Sequence, residues 1–204
     1  TMRKSYPKIP LIHPYVTPAM KQAVYNAMGQ KTITEGETVK QFEQALSSLG
    51  LKNPLALNSG TSALELAYHL LNLKPEDEVI TPVFTSIATN IPLARRGVKI
   101  IFADIKEDML INWADVEKKI TLKTKAIINV HLFNLLSKPA KVDVPIVGDA
   151  AQYLATTFGE RFTAYSFQAA KILTTVDGGA LICQSPKDYK RAKLLRWYGI
   201  DRET

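Results

Sequence analysis

From Leu55 to Trp197 the chain alternates short apolar runs with longer stretches of helical period, and few folds accept that rhythm. Leu55–Leu57, Glu78–Ile80, Val98–Phe102, Lys125–Val130, Val144–Val147 and Gly179–Cys183 read as strands. Ala63–Leu73, Ser86–Arg96, Ala114–Ile120 and Pro186–Trp197 read as helices between or after them. Strands that alternate with helices predict an α/β fold, a three-layer sandwich around a mainly parallel mixed sheet. In such sheets ligands sit outside the carboxyl ends of the strands. Asn58–Thr61, Pro82–Thr85, His131 and Asp149 all follow predicted strand ends, so they are expected on one side of the sheet. Ahead of this region, residues 1–16 read as an extended arm. Thr17-Pro18 reads as an N-cap with proline at the first helical position, opening a helix that stops near Gly29. Val39, Phe42, Ala45, Leu46 and Leu49 then mark a second helix that runs up to Gly50.

Within this frame residues 144–179 carry the chemistry. An apolar run ends in Asp149-Ala150-Ala151-Gln152, and Ser166 and Lys171 follow, ahead of Gly178-Gly179. A buried strand has no reason to end in a carboxylate unless the carboxylate has a partner, and a lysine in the mostly uncharged segment from Ala164 to Val176 is costly to bury. One cofactor explains both. A lysine can form a Schiff base with pyridoxal phosphate (PLP), and an aspartate can pair with the protonated pyridine nitrogen of the same ring. Displaced from the cofactor by a substrate amine, Lys171 then becomes the base that moves the proton. Gln152 is placed to reach the phenolic oxygen, if a helical turn sets it on the same side as Asp149.

Ser59-Gly60-Thr61 lies where a strand turns into a helix. Unpaired N–H groups and the helix dipole there favour an anion, Gly60 lets backbone approach a phosphate, and Thr61 can donate to it. Ser166 is a second phosphate donor. Phe84, after Thr81-Pro82-Val83, offers a π-face to a planar ring. Each of these also has an ordinary structural reading, as N-cap, strand-end carboxylate or core aromatic; together they converge on PLP.

Composition narrows the classes. The 204 residues, 46% hydrophobic, fit one large domain or part of a larger protein. No apolar run is long enough to span a membrane, and no apolar segment follows the basic N-terminus, so neither a membrane protein nor a secretory signal is expected. Cys183 is the only cysteine, which suits a reducing compartment such as the cytoplasm. The net charge of +7 comes from scattered lysines with no aromatic-interleaved basic block, so an anionic small ligand is favoured over nucleic acid. No Cys/His cluster has metal-ligand spacing, and neither a dinucleotide fingerprint nor a Walker loop occurs.

The motifs occur in an order that resembles the DegT/DnrJ/EryC1/StrS family of sugar-nucleotide aminotransferases. The matching segments are Thr34-Glu35-Gly36, Phe42-Glu43, Leu57–Leu64, Asp77–Pro82 with Phe84-Thr85, Thr124–Ile128 with Val130-His131-Leu132, Asp149–Gln152, Ser166-Phe167, Lys171, Leu173–Thr175 and Gly178-Gly179. The resemblance implies an aspartate-aminotransferase-like large domain over residues 1–204, with 1–30 an arm and helix and the family's small C-terminal domain absent. It implies that Lys171 carries PLP and Asp149 faces its nitrogen. Gln152 would contact the ring oxygen, Phe84 stack on the ring, and Gly60, Thr61 and Ser166 hold the phosphate. It implies transfer of an amino group, usually from glutamate, to a keto-sugar nucleotide, by a homodimer. The segments from His131 to Asp149 and from Gln152 to Ser166 are short for the family, Ile172 stands where the family favours Asn, and Val176-Asp177 precede the glycines. Two readings follow: a compact or truncated aminotransferase, or a PLP-binding, non-catalytic member that acts as a sensor, a partner or a half-enzyme needing another chain.

Overall fold

The apolar runs form one seven-stranded sheet in a computed structural model that describes Pro10 and residues 12–201. Its strands are β1 (Pro54–Leu57), β2 (Glu78–Pro82), β3 (Lys99–Ala103), β4 (Thr124–Val130), β5 (Ile146–Asp149), β6 (Phe162–Ser166) and β7 (Gly179–Cys183), in the order β1-β7-β6-β5-β4-β2-β3. β7 is antiparallel to both of its neighbours, and every other pair is parallel. The helices are α1 (Pro18–Met28), α2 (Glu37–Ser48), α3 (Gly60–Leu70), α4 (Ile87–Arg95), α5 (Trp113–Lys119) and α6 (Pro186–Arg196). The described part of the expected arm, Pro10 and residues 12–17, has no regular structure; its other residues lie outside the described ones.

Alternation along the strands splits the core into two layers. Val79, Ile128, Ala164 and Leu181 pack with α3, with Leu93 of α4 and with Ala192 of α6. On the other face Ile80 and Ile127 pack with Val116 of α5, while Tyr165 and Ile182 pack with Leu46 of α2. The expected three layers are therefore present. Among the described residues, no helix is long and apolar enough to cross a membrane.

Three expectations need correction. α3 starts at Gly60, not Ala63, because the Ser59 hydroxyl caps it by accepting the Ser62 N–H at 3.1 Å. β5 starts at Ile146, not Val144, and takes in Asp149 as its last residue. β6 was not expected at all: Phe-Thr-Ala-Tyr-Ser carries too few aliphatic residues to stand out, yet its first four residues are buried.

The two short connections contain no helix. Residues 131–145 and 150–161 cross between parallel strands as irregular chain, whose buried polar groups need partners other than a helical ladder. Asn129 of β4 and His131 just after it supply them. Asn129 Nδ2 donates to the Ser137 carbonyl at 2.9 Å and to Glu160 Oε1 at 2.8 Å. The Ser137 N–H donates to His131 Nδ1 at 3.1 Å, so a neutral imidazole carries its proton on Nε2, 3.2 Å from Glu160 Oε1. Asn129, His131, Ser137 and Glu160 are all buried. Each crossover is thus tied to the sheet through a polar cluster.

Glu160→Ala removes the carboxylate that accepts from Asn129 Nδ2 and lies 3.2 Å from His131 Nε2, leaving buried polar groups without it, and is expected to lower the unfolding free energy by about 1–3 kcal/mol. Urea denaturation followed by circular dichroism measures this, and a loss below about 1 kcal/mol would show that the cluster does not hold the crossovers.

Candidate active site

The sheet edge formed by the carboxyl ends of the parallel strands holds a cavity of about 340 Å³, within the range that small-molecule sites occupy. Gly60, Thr61, Asp149, Gln152, Ser166 and Lys171 all line it, six of the seven residues expected there. His131 and Asp177 line it too. Phe84 is the exception: it follows β2, is 47% exposed, and is not part of the cavity wall, although Thr85 and Ser86 beside it are.

One end of the cavity is built by backbone on backbone. Gly179 opens β7 opposite Leu57 of β1, and a Cβ on it would lie 2.3 Å from the carbonyl carbon of Ser59 and 2.5 Å from the Gly60 nitrogen. A Cβ on Gly60 would meet Ser166 Cβ at 2.8 Å. Two glycines therefore let the start of α3 lie against β6 and β7. The first N–H groups of a helix have no intrahelical acceptor, and Ser59 caps that of Ser62. The N–H groups of Gly60 and Thr61, with the Thr61 and Ser166 hydroxyls, remain as a donor set suited to a phosphate.

Asp149 stands elsewhere in the same wall, 4% exposed. Its Oδ2 accepts the Thr89 hydroxyl at 2.7 Å and its Oδ1 accepts the Ala151 N–H at 3.1 Å. Gln152 Oε1 accepts the Phe133 N–H at 3.1 Å, and the Gln152 carbonyl accepts that of Asn134 at 2.9 Å. These bonds hold a turn in which Phe133 and Asn134 both have positive φ, of 52° and 61°. With Oε1 engaged, Nε2 remains as the donor of Gln152.

Lys171 sits half-buried in the loop between β6 and β7, and Phe167 ties that loop down. The Phe167 N–H donates to the Gly178 carbonyl at 2.9 Å; its carbonyl accepts the Thr174 hydroxyl at 3.0 Å and the Thr175 N–H at 2.9 Å. The buried Phe167 ring meets Phe42 of α2 edge-on, 5.5 Å between centroids. The hydroxyl- and glycine-rich sequence around Lys171 thus encodes a closed loop anchored at both ends.

Comparison with known proteins places this geometry. The profile of the DegT/DnrJ/EryC1/StrS aminotransferase family matches residues 14–204. The chain belongs to that family. It is 30% identical over 196 residues to the UDP-4-amino-4,6-dideoxy-N-acetyl-beta-L-altrosamine transaminase of Campylobacter jejuni, covering 87% of this chain and 52% of the relative. Its fold matches AtS13 of Actinomadura melliaura with a TM-score of 0.88 at 30% identity, over 99% of this chain and 60% of that one. It also matches the crystal structure of CalS13, a sugar aminotransferase of Micromonospora echinospora, with a TM-score of 0.85 at 28% identity, over 97% of this chain and 60% of that one. The chain spans about half the length of the curated relatives it matches.

Thr85 lines the cavity and Thr89 bonds Asp149, although no sequence motif gives either a role. Thr85 precedes the N-cap Ser86, so no helical spacing marks the pair; the fold brings the two hydroxyls to 2.8 Å.

Val176 in the Lys171 loop has φ of 74°, a left-handed conformation that a β-branched residue adopts at a cost of about 1–3 kcal/mol. Val176→Gly is therefore expected to stabilise the protein by about 1 kcal/mol or more, read as a higher thermal midpoint in calorimetry. An unchanged or lower midpoint would show that the loop carries no such strain.

Proposed function

We propose that this chain is the cofactor-binding large domain, residues 1–204, of a PLP-dependent aminotransferase. Its acceptor is a keto-sugar nucleotide, its donor is glutamate, and its product serves amino-sugar, surface-polysaccharide or antibiotic-sugar synthesis. One observation carries this reading: Lys171, the Asp149 carboxylate and the donor set of Gly60, Thr61 and Ser166 line the same cavity. The donor set fits the phosphate of PLP, and the Asp149 carboxylate fits its protonated ring nitrogen. When bound, PLP supplies an electron-withdrawing ring that makes the proton on the amine-bearing carbon removable.

Each residue then has a task. The start of α3, with Thr61 and Ser166, holds the phosphate. The Asp149 carboxylate accepts the ring N–H and keeps it protonated. Gln152 Nε2 donates to the ring oxygen. Lys171 Nζ would attach the cofactor and, when free, would serve as the group that takes up and returns the proton. The name of the Campylobacter jejuni relative supports a nucleotide-sugar acceptor. A homodimer is supported by α1, which buries no residue and leaves Val24, Tyr25 and Met28 exposed. Cys183 is buried in β7, and burial pushes its thiol up to about 12, so it is no nucleophile and fits a cytoplasmic protein.

Adding PLP to the purified chain is expected to give a visible absorption band that Lys171→Ala lacks and that glutamate bleaches. No band with the intact chain would overturn the reading. A band that glutamate leaves unchanged would replace the transaminase with a PLP-binding protein that does not exchange amino groups.

A further inference from the structure

We propose that Thr85 and Thr89 are positioning residues, a two-hydroxyl relay that aims the Asp149 carboxylate at the cofactor's ring nitrogen. The proposal rests on the PLP reading above and names groups that act on the ring only through Asp149.

Thr89 is fully buried on α4, and its hydroxyl donates to Asp149 Oδ2 at 2.7 Å. The Thr85 and Thr89 hydroxyl oxygens lie 2.8 Å apart. A hydroxyl has one proton, and that of Thr89 is committed to the carboxylate, so Thr85 donates to Thr89. The relay therefore has one direction, from Thr85 through Thr89 to Asp149, and successive donation polarises each bond toward the carboxylate. The Ala151 N–H occupies the other oxygen. Each carboxylate oxygen thus has one fixed donor, which sets the plane of the group and leaves acceptor capacity on both oxygens.

Two further features indicate what that capacity is for. Asp149 is nearly buried, yet among the described residues no cation forms an ion pair with it. A buried carboxylate held by neutral donors alone is completed by a cation, and a protonated pyridine nitrogen in the adjoining cavity is one. The relay is also anchored. The buried Tyr68 hydroxyl of α3 donates to the Thr89 carbonyl at 3.0 Å. Burial, then the Asp149 charge, holds the Tyr68 phenol well above its usual range, so it stays a donor. The other titratable groups that line the cavity are His131, Lys171 and Asp177.

Thr89→Val keeps the shape and removes the donor. Full-length wild type, Thr89→Val, Thr89→Ser and Thr85→Val would each be titrated with PLP, and ring-labelled 15N PLP would report protonation of the bound nitrogen against pH. Thr89→Val is expected to weaken PLP binding by about tenfold or more and to move deprotonation of the ring nitrogen to lower pH. Thr89→Ser restores both, and Thr85→Val shifts both in the same direction by less. A merely structural role would not move the nitrogen titration. Wild-type binding with Thr89→Val within about twofold and an unmoved titration overturns the relay alone. If Thr89→Val does not fold, Thr85→Val decides, and an unmoved titration there overturns the relay. Absence of PLP binding in the wild type overturns the PLP reading together with the relay.

Discussion

The contact on which the site depends is backbone against backbone, where the first residue of β7 faces the turn from β1 into α3. Gly179 lies so close to Ser59 and Gly60 that no side chain fits there. The approach does two things. It lets β7 run antiparallel between β1 and β6, which closes one flank of the sheet. It also brings the start of α3 against Ser166, and Lys171 lies on the loop that leads from Ser166 back to Gly179. A phosphate cradle and an attachment point are therefore outcomes of a single strand pairing.

α3 then links the two ends of the cavity. Its first turn supplies most of the donor set, and two turns later Tyr68 holds the carbonyl of Thr89, whose hydroxyl bonds Asp149. A second brace stands behind β1. Arg196 of α6 pairs with Glu35 and, at 2.8 Å, with Glu43 of α2, and it also donates to the Ala56 carbonyl at 3.2 Å. Glu43 accepts the Ala56 N–H at 2.8 Å. The strand that launches α3 is thus fixed from the side opposite β7 by a largely buried polar network, beside the apolar packing of Leu55 and Leu57 with Ala192 and Leu195 of α6.

Much of this was legible in the sequence because it rests on local chemistry. The strand-helix rhythm gave the layers, and Thr17-Pro18 and Pro186 marked helix starts through proline and capping preferences. Lys171, Asp149 and Ser166 stood out because polar residues at the ends of apolar runs need a reason. What escaped depends on contacts distant in sequence. β6 is a strand because β5 and β7 flank it, not because of its own composition. Thr89 looks like an ordinary helix residue until the fold sets it beside Asp149, sixty positions away. Phe84 was expected against the ring, yet local aromatic character does not fix where a loop side chain points, and it stands largely outside the cavity wall.

The tie at Ser137 bears on how chain length can vary in this family. Asn129 and His131 grip both the carbonyl and the N–H of one residue midway along the crossover, so the stretch behaves as two short loops sharing a fixed post. Chain added beyond the post, around Lys138–Lys141, lengthens a surface loop at an entropic cost that grows only slowly with length. Added length is therefore expected to cost less beyond the post than before it, which makes the far half of this crossover the place to insert a helix or graft a peptide.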